Sequence, residues 1–168
     1  DFGRLSQLAA GEKLSAIYTE FPWNPLLNCP DLEALSSLCR RHGIPLVVDD
    51  TVASCQNVDL SRVADVVWMS LTKYFSGVGD VTGGALVLNR KGAFFDRLKA
   101  SLDVVYEDLL YKGDAAALER NSRRFGARMR EINANAERLA DALRGHPAVA
   151  EVHFPKYRTA DRYRAFQR

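Results

Sequence analysis

The segment Ile44-Pro-Leu-Val-Val-Asp-Asp-Thr51 consists of a continuous apolar run followed by a polar end. An apolar run without polar alternation is typical of a strand that is covered on both faces. Residues 31–42, which come just before it, carry apolar side chains on one helical face, with Asp31 at the start and Gly43 after the end. A helix that leads directly into a buried strand indicates an α/β sheet.

The same alternation of strand-like and helix-like segments continues on both sides of this unit. Short apolar runs predict four strands, at residues 14–21, 44–48, 63–69 and 84–88. Residues 91–102 are amphipathic and predict a further helix. This pattern predicts an α/β fold in which a mostly parallel sheet is flanked by helices.

The last third of the chain has a different pattern. Apolar residues recur every seven positions and predict one long helix over residues 114–143, about 45 Å in length at about 1.5 Å per residue; they are Leu118, Phe125, Ile132 and Leu139. Gly145-His146-Pro147 ends this helix, residues 148–154 predict a strand, and residues 157–168 form a basic, polar end. We therefore expect part of a larger domain at residues 1–113 and an inter-domain helix at residues 114–146. Residues 147–168 would then start a small C-terminal domain.

Composition narrows the class of protein. The chain has 168 residues, of which 47% are hydrophobic and 26% are charged, and this is typical of a globular domain. A formal net charge of +2 is too small for a dedicated nucleic-acid binder. The three cysteines form no Cys-x-x-Cys pair and the three histidines have no metal-ligand spacing, so we expect neither a disulfide scaffold nor a metal site.

The chain carries no targeting signal that we recognise. No apolar run approaches the roughly 20 residues of a membrane span, and no signal or transit peptide is visible. We therefore expect a cytoplasmic protein without a membrane partner. The first residue is aspartate and not methionine, which indicates an excerpt from a longer protein.

Polar side chains stand at the predicted carboxyl ends of the first three strands. Asn24 follows the first strand, Asp49-Asp-Thr51 follows the second, and Ser70-Leu-Thr-Lys73 follows the third. Because ligands of open α/β sheets collect at this edge, these side chains are expected to share one pocket. A lysine just past a buried strand is costly to desolvate as an ammonium, so burial favours the neutral amine that forms a Schiff base with a carbonyl.

The neighbours of Lys73 extend this chemistry. Ser70 and Thr72 could donate hydrogen bonds to phosphate oxygens, and Asp49 could keep a cationic ring nitrogen protonated. These are the requirements for holding pyridoxal phosphate. Each residue also has an ordinary structural interpretation: a solvated lysine, hydroxyls and an aspartate that cap turns or helices, and an Asn-Pro turn at Asn24.

Three motifs stand in register along the chain: Glu20-Phe-Pro-Trp-Asn-Pro25, Val47-Val-Asp-Asp-Thr51, and Ser70-Leu-Thr-Lys-Tyr-Phe-Ser-Gly77 with Asp80-Val-Thr-Gly-Gly84. In order and spacing they resemble the Cys/Met-metabolism family of pyridoxal-phosphate enzymes, which includes cystathionine γ-synthase and the cystathionine lyases. Residues 114–128 look most like the fungal branch of the cystathionine γ-synthases. The resemblance covers residues 14–155 and implies the large-domain portion of the aminotransferase-like fold of type I.

The resemblance also implies a role for each candidate residue. Lys73 would form the Schiff base with the cofactor and later move protons, and Asp49 would pair with its pyridine nitrogen. Ser70 and Thr72 would bind its phosphate, and Asn24 would contact its phenolic oxygen or the substrate carboxylate. The implied reaction is γ-replacement of O-acylhomoserine by the cysteine thiol, carried out by a homo-oligomer (a dimer or a tetramer).

Several alternatives stay open. The same residues serve elimination by a cystathionine lyase, replacement with another nucleophile in secondary metabolism, or another fold-type I enzyme such as an aminotransferase. The chain departs from the family pattern at Asp50, Val78 and Thr82, where family members often have asparagine, histidine and methionine. It also holds only the lysine half of the family's site, so the isolated chain could be inactive.

Overall fold

The computed structural model describes all 168 residues and contains one four-stranded sheet. Strands β1 (Ile17–Glu20), β2 (Leu46–Asp49) and β3 (Val66–Ser70) run parallel in that order, and β4 (Gly84–Leu88) pairs antiparallel with β3. Each strand lies at one of the predicted apolar runs. The predicted α/β fold with a mostly parallel sheet flanked by helices is confirmed.

Eight helices accompany the sheet: α1 (Phe2–Gly11), α2 (Leu32–His42), α3 (Ser54–Asn57), α4 (Phe95–Val105), α5 (Lys112–Ser122), α6 (Phe125–Arg144), α7 (Pro155–Arg158) and α8 (Ala160–Arg164). A single turn of π-helix, Leu71–Phe75, follows β3 directly. Helix α2 has the predicted ends, because Asp31 accepts a hydrogen bond from the Ala34 N–H at 2.9 Å and Gly43 adopts a left-handed φ of 66°. Helix α1 was not predicted.

One face of the sheet forms the main core. Ile17, Leu46 and Val48 belong to a cluster of 17 buried residues that also contains Leu35 and Leu38 of α2. These strand residues alternate with the ones that point to the opposite face, as the period of a β-strand requires. Polar side chains at the carboxyl ends of the strands, such as Glu20 and Asp49, lie on the opposite face.

The C-terminal residues fold back onto this core. The Phe166 ring packs edge-on against Phe21, with ring centroids 5.4 Å apart. The Arg168 N–H donates to the carbonyl of Asn57 at 2.9 Å. The expected small C-terminal domain is not seen within the chain, and the division at residues 113 and 146 stays a prediction.

The single helix predicted over residues 114–143 is wrong, because two residues separate α5 from α6. Phe125 at the start of α6 packs against Phe75, with ring centroids 5.3 Å apart. Leu118 of α5 belongs to a small buried cluster that contacts the same phenylalanine. Burial of both side chains against the turn after β3 compensates for the helical hydrogen bonds lost at the break.

Residues 148–154 form no strand, so that prediction is also wrong. A strand needs a neighbouring backbone to satisfy its N–H and C=O groups, and this segment pairs with neither edge of the sheet. Its charged side chains make surface ion pairs instead: Glu151 Oε1 lies 2.6 Å from Arg158 Nη1, and Glu151 Oε2 lies 3.3 Å from His153 Nε2. Among the helices, none combines the length and the apolar character needed to span a bilayer.

Candidate functional site

The carboxyl ends of the parallel strands meet at one cavity. The strand register places Glu20, Asp49 and Trp68 side by side, so their side chains project from the same face of the sheet. A cavity of about 690 Å³ opens beside them. Its walls include all five residues that the sequence predicts for the site: Asn24, Asp49, Ser70, Thr72 and Lys73.

Lys73 lies in the π-helical turn after β3 and is the only lysine in the walls of the cavity. Its backbone, with φ −78° and ψ −122°, departs from helical geometry inside that turn. The side chain is exposed, so the expectation that burial shelters this amine is wrong for the chain by itself. The cavity beside it is wide and open to solvent, which leaves the lysine accessible.

Asp49 is held by hydrogen bonds to both carboxylate oxygens, and the residue is only 8% exposed. The Thr51 N–H donates to Oδ1 at 2.8 Å, and the Tyr18 hydroxyl donates to Oδ2 at 2.9 Å. The Trp68 indole N–H in turn donates to the Tyr18 oxygen at 2.8 Å. Asp49 is thus fixed in orientation, and each oxygen keeps a second lone pair for a ligand.

The two hydroxyl residues of the site are fixed through the backbone around them. The Ser70 N–H donates to Thr51 Oγ1 at 2.9 Å, which ties the end of β3 to the end of β2. The Gly83 N–H donates to Thr72 Oγ1 at 3.2 Å. Because the Thr72 oxygen accepts this bond, its own O–H is available to donate to an anion.

Asn24 stands in the exposed loop after β1. Its backbone N–H donates to Glu20 Oε2 at 2.9 Å, so the glutamate at the end of the strand holds the loop beside the cavity. Glu20 and Trp68 also line the cavity and were missed. Strand alternation could have found both, since each lies opposite Asp49 on the neighbouring strand.

Arg128 of α6 is a further cavity residue that the sequence did not predict. Its Nη2 donates to the carbonyl oxygens of Tyr74 at 2.9 Å and Phe75 at 2.8 Å, the two residues directly after Lys73. Gly77 lies so close that an added Cβ would fall 2.6 Å from Arg128 Cζ. The arginine therefore clamps the turn that carries Lys73.

Asp50 is buried next to the site, and its Oδ1 has no hydrogen-bond partner. Burial, helped by the negative charge of Asp49, raises the pKa of Asp50 to about 8. An unfolded aspartate titrates near pH 4, so between about pH 4 and pH 8 the folded chain keeps a proton that the unfolded chain releases. The contribution of Asp50 to the free energy of unfolding is therefore fully present below pH 4 and is lost progressively as the pH rises to 8.

Asp50→Asn is accordingly expected to stabilise the natural protein at alkaline pH. The gain should grow from almost nothing near pH 4 to several kcal/mol at pH 8, because a pKa raised by about four units makes ionisation of the buried carboxyl costly, whereas the neutral amide does not ionise. Thermal unfolding at pH 4, 6 and 8 measures it, with the exposed Asp108→Asn as the matched control. A gain that does not change with pH would contradict this account of Asp50.

Comparison with known proteins decides the family. The model of the Cys/Met metabolism PLP-dependent enzymes matches residues 3–168. The chain belongs to this family. Pyridoxal phosphate is the cofactor of the family, so membership of the family confirms the cofactor predicted from the sequence.

Several members of the family are similar to this chain. Cystathionine gamma-synthase from Neurospora crassa is 40% identical over 152 residues, which are 90% of this chain and 24% of the relative. Cystathionine gamma-synthase-like enzyme iboG1 from Amanita muscaria is 44% identical over 156 residues, which are 88% of this chain and 26% of the relative. The chain thus spans about a quarter of the length of these relatives.

Solved structures support the fold. The structure of metB from Corynebacterium glutamicum has a TM-score of 0.83 and 28% identity, covering 98% of this chain and 44% of that one. CalE6, a methionine gamma lyase from Micromonospora echinospora, has a TM-score of 0.82 and 28% identity, covering 97% of this chain and 46% of that one.

In this chain no three His, Cys, Asp or Glu side chains are grouped to hold a metal ion.

Proposed function

We propose that this chain is part of a pyridoxal-phosphate trans-sulfuration enzyme of the cystathionine γ-synthase type. The reaction would be γ-replacement, in which the cysteine thiol displaces the acyloxy group of O-acylhomoserine. The observation that carries the proposal is the single cavity that joins five polar residues from three strand ends, with Lys73 as its only lysine. The names of the fungal relatives support the same assignment.

The residues present fit the cofactor in their chemistry. Lys73 supplies an amine for the aldehyde group, and Asp49 supplies oriented acceptor oxygens for the ring nitrogen. Thr72 has a free O–H for a phosphate oxygen, and Ser70 also lines the cavity. Asn24 would contact the phenolic oxygen of the cofactor or the carboxylate of the substrate.

When bound, pyridoxal phosphate supplies an electron sink conjugated to the α carbon of an amino acid. Lys73 takes the proton from the substrate α carbon and returns protons to neighbouring carbons, and this is the role that requires its amine to be mobile. Asp49 maintains positive charge on the ring nitrogen, because a fixed carboxylate stabilises a cation beside it. The acyloxy group leaves the γ carbon as a carboxylate, and the cysteine sulfur bonds to that carbon as its thiol proton is lost.

The same site could also serve reactions other than γ-replacement, and these would differ in their products. Relatives with quite different names, such as an alanine racemase at 46% identity and a dechlorinase/desaturase at 40%, are about as similar to this chain as the synthases. The residues of this chain alone therefore do not select the nucleophile. We further propose a cytoplasmic homo-oligomer, and the three free cysteines are in keeping with a reducing compartment.

The test is a product assay on the natural protein at full length, loaded with pyridoxal phosphate and given O-acetylhomoserine or O-succinylhomoserine. We expect cystathionine to form only when cysteine is present, at a rate that rises with cysteine concentration. A keto acid formed at the same rate with or without cysteine would identify a lyase instead. Amino-group exchange with a keto acid, without release of the acyl group, would identify an aminotransferase. No turnover by the 168-residue chain alone, with turnover by the natural protein, would identify an incomplete site.

A further inference from the structure

Next to Asp49, on the same face of the sheet, two aromatic side chains form hydrogen bonds that the proposed function does not use. Tyr18 on β1 donates its hydroxyl hydrogen to Asp49 Oδ2 at 2.9 Å. Trp68 on β3 donates its indole N–H to the Tyr18 oxygen at 2.8 Å. The three residues come from three neighbouring strands, so the sheet register itself brings them together.

The direction of these hydrogen bonds is set by the groups involved. An indole N–H can only donate, so the Tyr18 oxygen must accept from Trp68. The single hydroxyl hydrogen of Tyr18 is then directed at Asp49, which must accept it. Partial burial and the bond to Asp49 raise the pKa of Tyr18 to about 12, so this hydroxyl keeps its hydrogen over the physiological range.

We propose that Tyr18 and Trp68 are positioning residues that hold Asp49 as an oriented hydrogen-bond acceptor for the ring nitrogen of the cofactor. This inference rests on the proposed role of Asp49. The Thr51 N–H donates to one carboxylate oxygen of Asp49 and the Tyr18 hydroxyl donates to the other. Each oxygen then has one lone pair occupied and a second lone pair left for the ligand. Without Tyr18, one oxygen loses its partner and the carboxylate is free to turn about its χ2 angle.

The inference makes a specific prediction for Tyr18→Phe, which removes one hydroxyl and leaves the ring. In the natural protein, the affinity for pyridoxal phosphate is expected to fall about tenfold, since a hydrogen bond to a charged group is lost. The affinity for an analogue with a carbon in place of the ring nitrogen should change less than twofold, because that analogue has nothing for Asp49 to pair with. Trp68→Phe should act in the same direction with a smaller effect.

Equilibrium titrations of cofactor absorbance with both compounds measure these changes and need no turnover. Tyr106→Phe, which removes the hydroxyl of a tyrosine that is 65% exposed, is the matched control and should leave both affinities unchanged. Equal weakening of the two compounds by Tyr18→Phe would show a merely structural role and overturn the inference. An unchanged affinity for pyridoxal phosphate would overturn it as well. If the natural protein attaches pyridoxal phosphate at Lys73 in either case, the proposed function stands and only this inference fails.

Discussion

Replacing Lys73 with alanine is expected to abolish covalent attachment of pyridoxal phosphate and to lower kcat by a factor of about one hundred to ten thousand. The reason is that Lys73 is the only lysine in the walls of the cavity, so no second amine can take over attachment or proton transfer. Absorbance of the protein after removal of free cofactor measures attachment. Initial rates of the acyl-release reaction measure kcat.

Lys91→Ala is the matched control for this prediction. Lys91 is exposed and lies outside the cavity, so its loss should leave both attachment and rate unchanged. Retention of covalent cofactor by the Lys73→Ala protein, at the level of the unmodified protein, would contradict the assignment of Lys73.

Gly77→Ala is expected to destabilise the natural protein by about 3 kcal/mol and to loosen the turn that carries Lys73. Gly77 has a left-handed φ of 75°, which costs an alanine about 1–2 kcal/mol. Its Cβ would also fall 2.6 Å from Arg128 Cζ and push the guanidinium off the Tyr74 and Phe75 carbonyls, at about 1 kcal/mol for each hydrogen bond.

Gly79→Ala separates backbone strain from displacement of the arginine. Gly79 has a similar φ of 79°, but an added Cβ there would meet nothing within 4 Å. We therefore expect a loss of only about 1–2 kcal/mol, from the backbone alone. Urea unfolding of both variants measures the difference in stability. Equal losses in the two variants would show that Arg128 does not clamp the turn.

The parts of the fold that could be predicted are those whose signals are local in sequence. The apolar runs before Asp49 and before Ser70 each indicate a strand, and the polar residues directly after them mark its carboxyl end. Parallel strands end at the same edge, and this topological rule was enough to bring the five candidate residues to one cavity. Helix α1 had a usable signal as well, since Asp1 caps it by accepting from the N–H groups of Gly3 and Arg4.

The parts that could not be predicted depend on contacts between distant segments. The seven-residue period continues through residues 114–143, so no local pattern marks the break between α5 and α6, where Phe125 packs on Phe75. Arg128 donates a hydrogen bond to the Tyr74 carbonyl, which lies 54 residues away in sequence. Tyr18 donates to Asp49, which lies 31 residues away. Exposure of Lys73 likewise depends on how the surrounding loops enclose the cavity, which no pattern around the lysine encodes.

The attachment site of the cofactor tests the central claim most directly. The natural protein, loaded with pyridoxal phosphate, is reduced with borohydride and digested, and the labelled peptide is identified by mass spectrometry. The account predicts that the label lies on Lys73 at close to one per chain, with none on the lysines outside the cavity. Label on another lysine, or no label on a protein that catalyses the reaction, would contradict it.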